Sequence, residues 1–260
     1  MSNIAILDDY QNVALRMADW SRLSGKHTIK VFNAPFAAPS DAAQSLAPFE
    51  IVCAMRERTP FDAQMLARLP NLKLLVTTGH RNAAIDVAAA QARGVVVSGT
   101  DAPGTATAEL AMGLILGLSR HLTTEAQAMR EGRWQTTIGR DLHGRTLGLL
   151  GLGRLGGQMA KYGQAFGMKV IAWSQNLTSE AAAAHGATRV EKADLFRQAD
   201  VISIHTKLSP RTTGLVGAGE IALMKPDALL INTSRGPVVD DAALLAALNA
   251  GRIGGAGIDV

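Results

Sequence analysis

Residues 151–156 read Gly151-Leu-Gly153-Arg-Leu-Gly156, between an apolar run ending at Leu150 and an Ala- and Met-containing stretch of helical character. Glycines so spaced can seat a phosphate: Gly151 allows a tight turn, Gly153 lets backbone approach a pyrophosphate, and Gly156 lets helix and strand pack closely. Exposed amides and the helix dipole then attract the anion. The alternative is a tight turn with a structural role only. A dinucleotide held there needs a partner for its ribose 2′-hydroxyl about 20 residues on, where an acidic residue is usual. In "VIAWSQNLT" that place belongs to Ser174. Serine bonds a hydroxyl and does not repel a 2′-phosphate, yet Gln175 and Asn176 supply no arginine to grip one, so NAD(H) and NADP(H) both stay open. The segment "GRIGGAGIDV" reads as a strand running close to its neighbours through Gly254, Gly255 and Gly257. Asp259 stands at its carboxyl end, where α/β sheets place ligands.

Such groups need a sheet that delivers them to one edge. The runs "IAIL", "TIKVF", "EIVCA", "LKLLVTT" and "GVVVSG" predict strands, with helices around Val13–Ala18, Asp41–Leu46, Asp62–Leu69 and Ile85–Arg93 between them. This alternation implies a mostly parallel sheet covered by helices on both faces. The first domain, 1–99, is thus expected to be a five-stranded α/β unit. In "GTDAPGTATAE", Pro103 and two glycines break the pattern, and one long helical run is expected to about Arg130. A second series, over 100–260, runs through "RTLGLLGLGRLGG", "KVIAW", "ATRV", "DVISIH", "ALLINT" and "IGGAGID". The fold class expected is α/β, two Rossmann-like or flavodoxin-like domains with mostly parallel sheets.

At 260 residues with 47% hydrophobic content, the chain can fill two cores. Its +4 charge is carried by scattered Lys and Arg, with only 18% of residues charged, which suits local anion sites rather than nucleic acid. Cys53, the sole cysteine, excludes an intrachain disulfide, fits a reducing compartment and reads as a buried small hydrophobe. The start of the chain shows no leader pattern, and "LAMGLILGL", flanked by Glu109 and Arg120, is too short to cross a bilayer. A cytoplasmic protein without a membrane partner is expected, and no residue is assigned to a metal.

The segments "LPNLKLLVTTG…AAID", "ATAELAMGLIL", "GRW", "LHGRTLGLLGLGRLG", "ADVISIHTKLSPRTTGLV", "LMKPDALLINTSRGPVVDDAALLAAL" and "GGAGIDV" follow one another in this order. In that order and spacing the chain resembles the D-isomer-specific 2-hydroxyacid dehydrogenases. The resemblance implies hydride exchange between a nicotinamide and a small 2-keto or D-2-hydroxy acid bound between two domains, with the family leaning to NAD. It places the arginine that holds the substrate at Arg235 in "NTSRG", where a planar fork of donors fits a carboxylate better than a lysine. It assigns cofactor contacts to Gly151, Gly153, Arg154, Leu155, Gly156, Ser174, His205, Thr206, Lys207, Thr233 and Ser234, with Asp259 taking the nicotinamide carboxamide.

Substrate contacts are expected at Gly79 and His80 in "TTGHRNAAID", a loop whose backbone amides hold the carboxylate in the family. Here Arg81 and Asn82 replace the family's second glycine and aspartate, and His80 reads as a substrate contact, a solvated loop residue or a replacement proton donor. Arg56 and Arg58 read either as positive charge for an acidic substrate or as a solvated loop. The family's glutamate and proton-exchanging histidine, its last strand and the helix that returns to the first domain fall after Val260. Residues 1–260 are therefore expected to hold the dinucleotide without turning over substrate. An NAD-sensing, corepressor-like binding protein of the same fold is the alternative; formate dehydrogenase shares the glycine turn and arginine but has no specific support. The helix with Gly113 and Gly117 and the arm "GRWQTTIGRDLHG" match segments through which the family dimerises, so a homodimer is expected.

Overall fold

The computed structural model describes residues 1–23, 25–101 and 104–260. Its backbone contacts divide into two compact units, Met1–Pro103 and Gly104–Val260. In the first unit, β1 (Asn3–Ile6), β2 (Thr28–Val31), α1 (Pro39–Leu46), β3 (Ile51–Ala54), α2 (Ala63–Ala67), β4 (Leu74–Thr77), α3 (Val87–Ala92) and β5 (Val96–Gly99) follow in turn. The five strands pair in parallel in the order β2-β1-β3-β4-β5. This is the flavodoxin-like order, which reverses between β1 and β3. Leu7, Leu46, Phe61, Leu66 and Leu75 fill its core. Asp62 and Asp86 cap α2 and α3 by accepting from the Met65 and Ala89 amides.

The second unit comprises α4 (Ala106–Ser119), α5 (Leu122–Arg130), β6 (Thr146–Leu150), α6 (Arg154–Ala165), β7 (Lys169–Trp173), α7 (Ser179–Ala183), β8 (Thr188–Arg189), α8 (Lys192–Gln198), β9 (Val201–Ile204), α9 (Ala218–Leu223), β10 (Leu229–Asn232), α10 (Asp241–Asn249) and β11 (Gly255–Ile258). Its six strands, all parallel, take the order β11-β10-β9-β6-β7-β8. Counted within the unit this is the doubly wound order 3-2-1-4-5-6, and it reverses between β6 and β9. Every residue of β9 and β10 is buried, so these strands carry apolar groups on both faces. One face packs Met112, Ile115, Leu147, Leu149 and Met159; the other packs Leu150, Leu195, Phe196, Ile202 and Leu230.

Two helical expectations change. The run to Arg130 is not one helix: His121 adopts a left-handed conformation, φ 52°, which ends α4 at Ser119 and restarts the chain as α5. The stretch Val13–Ala18 forms no α-helix but a 3₁₀ turn at Ala14–Arg16, with another at Trp20–Arg22. There the Asp9 carboxylate takes the Val13 and Ala14 amides, and Asp19 takes that of Ser21, so side chains compete with the helical ladder.

At the amino ends of the second sheet, Asp200 ties three strands. Its carboxylate accepts from the Thr146 amide at 2.7 Å and from Lys225 Nζ at 2.7 Å, while its carbonyl accepts from the Leu229 amide. Burial by itself would raise the Asp200 pKa, but the hydrogen bonds from Lys225 and Thr146 and the charges of Lys225 and Arg145 outweigh it, leaving the carboxyl below its ordinary 3.8. The depressed value gives stability present above pH 3.8 and lost as pH falls through the folded-state pKa. Asp200→Asn is expected to cost about 1–2 kcal/mol at neutral pH and to flatten the acid limb of the stability curve. Urea unfolding at neutral pH and at about pH 3 checks both, and equal losses at the two pH values would contradict it.

Candidate functional site

The ladder register of the second sheet aligns Trp173 with Leu150, Leu150 with Ile204, Ile204 with Asn232 and Asn232 with Ile258. The next residue on each strand is Ser174, Gly151, His205, Thr233 and Asp259. Five positions expected from the sequence to touch a dinucleotide thus stand in one row along the carboxyl edge, on either side of the point where strand order reverses. That edge is where open α/β sheets bind ligands.

The glycines have distinct geometry. Gly151 has φ +105°, and a Cβ there would lie 2.8 Å from the His205 carbonyl oxygen, so the turn after β6 and the end of β9 touch backbone to backbone. A Cβ on Gly156 would overlap the Gly151 carbonyl oxygen, which brings the first turn of α6 against the turn. Gly153, by contrast, faces open space, with nothing within 4 Å of where its Cβ would be. An anion can therefore reach the first amides of the 12-residue α6, which lack intrahelical partners. Arg154 is exposed at the helix start and its guanidinium rests on Gly104, while the half-buried Leu155 packs against the core cluster.

Beyond β9, His205 Nε2 lies 2.8 Å from the buried Ser203 hydroxyl, and burial pushes its pKa down to about 4. The imidazole is neutral at neutral pH, a polar frame rather than an acid. The Thr206 and Thr233 hydroxyl oxygens are buried without a hydrogen-bond partner among the described residues. Buried hydroxyls are normally satisfied, so two orphans beside one row of strand ends suit a polar ligand. The Ser234 hydroxyl donates to the Thr206 carbonyl, linking the loops after β9 and β10, and Lys207 is exposed on the first of them.

Asn232, which composition alone did not single out, organises the arginine. Its side chain accepts from the Ser234 amide at 3.0 Å and donates to the Arg235 carbonyl at 3.0 Å, and its own carbonyl accepts from the Asp259 amide at 3.1 Å. One buried amide side chain thus shapes the turn carrying Thr233, Ser234 and Arg235, and its carbonyl ties that turn to Asp259. The available signal was a polar residue closing the otherwise apolar "ALLIN". Arg235 is half-buried and donates through Nη1 to the Ser234 carbonyl at 2.7 Å. A dinucleotide fits these residues: an open glycine approach, orphan hydroxyls and an exposed carboxylate at Asp259.

In the first unit, register places Ala54 beside Thr77 and Thr77 beside Gly99. Arg56, Gly79 and His80 therefore gather on neighbouring loops at that sheet's carboxyl edge. Gly79 has φ +87°, and its amide donates to the Thr100 hydroxyl at 2.9 Å, so it shapes the loop with its own donor engaged. His80 is exposed and meets Asp101 at 3.2 Å. Arg56 is exposed at φ +53°; its carbonyl accepts from the buried Asn82 side chain, which also donates to the Thr77 hydroxyl at 3.0 Å. Arg58 donates to the Asp8 carbonyl at 2.7 Å and stacks on Tyr10, so it is held rather than freely solvated.

The family model for the D-isomer specific 2-hydroxyacid dehydrogenase NAD binding domain matches residues 112–260. A glyoxylate reductase of Thermococcus litoralis is 40% identical over 213 residues, 76% of this chain and 63% of that protein. A D-3-phosphoglycerate dehydrogenase of Methanocaldococcus jannaschii is 36% identical over 213 residues, 80% of this chain and 41% of its own length. The chain thus spans less than two thirds of these relatives. Among solved structures, a phosphoglycerate oxidoreductase from Vibrio cholerae o395 superposes with TM-score 0.94 at 39% identity, covering 100% of this chain and 84% of that one.

Since Gly153 faces open space, Gly153→Val is expected to leave the melting temperature within about 2 °C while weakening dinucleotide binding more than about tenfold. Calorimetric titration with NADH beside a thermal melt separates the two effects, and undiminished binding would remove the glycine turn from the site.

Proposed function

Because the chain belongs to the D-isomer-specific 2-hydroxyacid dehydrogenase family, we propose that the protein of which these residues form the NAD-binding and substrate units interconverts a small 2-keto acid and its D-2-hydroxy acid. When bound, the nicotinamide supplies or accepts hydride. The observation that carries the reading is the row of strand ends from Ser174 to Asp259, with the buried Thr206 and Thr233 hydroxyls, which have no partner among the described residues, in the loops after β9 and β10.

In this reading the amides opening α6 take the pyrophosphate, and Asp259 accepts from the nicotinamide carboxamide. Arg235, held by Asn232, aligns the carboxylate and keto oxygen through its fork of donors. His205 stays neutral and frames the nucleotide, so this reading does not assign proton exchange to it. Gly79, His80 and Arg56 are substrate contacts in this reading, which also includes action in the cytoplasm. Arg235→Ala, made in the full reading frame, is expected to lower kcat/KM for 2-keto acids more than about 100-fold while NADH affinity changes less than about threefold. Unchanged kinetics would refute the role of Arg235. A full-length protein that binds NADH and turns over no keto acid would favour an NAD-sensing binding protein instead.

The same reading includes a homodimer. Leu122, Met129, Trp134 and Ile138 are 53–92% exposed along α5 and the arm after it, and Gly113 and Gly117 meet nothing within 4 Å on α4. Apolar groups so placed suit a second copy. Light scattering should give twice the monomer mass for the intact protein, and a monomer would count against this surface.

A further inference from the structure

Resting on the dinucleotide site above, we propose that the turn after β7 admits the 2′-phosphate of NADP(H), with Arg189 of β8 as the residue that binds it, so that the site takes NADP(H) alongside NAD(H). The turn runs Ser174-Gln175-Asn176-Leu177 and closes through the Leu177 amide on the Ser174 carbonyl at 3.1 Å. It leaves the same carboxyl edge as Gly151, because Trp173 and Leu150 are paired in register. In sites that select NAD, an acidic side chain here bonds the 2′-hydroxyl and repels a phosphate. This turn holds no carboxylate, so the repulsive element is absent.

The cation comes from a strand that the linear sequence does not associate with the turn. Arg189 pairs in register with Ala172, near the end of β7, and its side chain reaches over to donate from Nε to the Leu177 carbonyl at 2.9 Å. The guanidinium is thereby held on the turn itself. Its Nη2 meets Glu191 at 2.8 Å, with the two side chains 35% and 66% exposed. A surface pair of that kind is worth little, whereas a phosphate offers a guanidinium two or three charge-assisted hydrogen bonds. Arg189 can exchange Glu191 for the phosphate while Nε keeps its bond to Leu177.

Calorimetric titration of the protein with NADPH and NADH tests this. The wild type should bind the two within about tenfold of each other. Arg189→Ala should weaken NADPH by about tenfold or more and NADH less than about twofold, with Arg189→Lys in between. Ser174→Asp should restore discrimination against NADPH, and Glu191→Gln should tighten NADPH alone. NADPH binding more than about 100-fold weaker than NADH in the wild type would overturn the proposal, as would equal weakening of both by Arg189→Ala. Binding of neither nucleotide would refute the dinucleotide site itself, whereas NADH binding alone would leave that site standing and remove only this inference.

Discussion

Parallel pairing fixes where each strand of the second sheet stops relative to its neighbours, and the rest of the site inherits that alignment. A slip of one residue would turn every side chain of a strand to the opposite face. Central strands carrying apolar groups on both faces resist such a slip, because Ile202, Ile204, Leu230 and Ile231 are all buried in the observed register. The consequence is chemical: the residues after Trp173, Leu150, Ile204, Asn232 and Ile258 leave the sheet together. Gly148 and Gly163 belong to the same constraint, since a Cβ on either would press into Ala199 or Leu147 and push helix from sheet.

The two ends of that sheet are built on opposite principles. At the amino end, Asp200, Lys225, Arg145, Asp227 and Arg140 join in ion pairs and hydrogen bonds that anchor the strand starts. At the carboxyl end, two buried hydroxyls lack partners among the described residues, an imidazole is kept neutral by burial, and an arginine and a carboxylate emerge from adjacent loops. Unsatisfied polar groups cost free energy, so the site carries a debt that the compensated end and the apolar cores offset. Catalytic and ligand-binding edges are where such an imbalance has a use.

Asn232 and Asn82 show how this chain shapes its loops. Asn232 closes β10 and Asn82 lies in the loop after β4; each is a buried amide side chain that bonds backbone in a neighbouring turn. A carboxylamide both donates and accepts, so one residue can fix two strands of backbone at once without adding charge. Arg235 and Arg56, the cations beside them, are thereby presented by uncharged scaffolding.

The sequence by itself determined the strand and helix alternation, the glycine turn and the identity of the arginine and aspartate that follow strand ends. Those features are local: apolar runs with punctuating glycines carry them, and the order of the segments carries the family resemblance. Tertiary structure alone decided the rest. A single left-handed residue, His121, divided a helix that composition favoured throughout. Leu155, half-buried, packed against the core cluster, and Arg189 joined a turn 12 residues away from it in the chain through pairing of β8 with β7. Sequence spacing encodes what a residue can do along one element; which residues meet across elements is set by register and packing, which become visible only when the sheet is assembled.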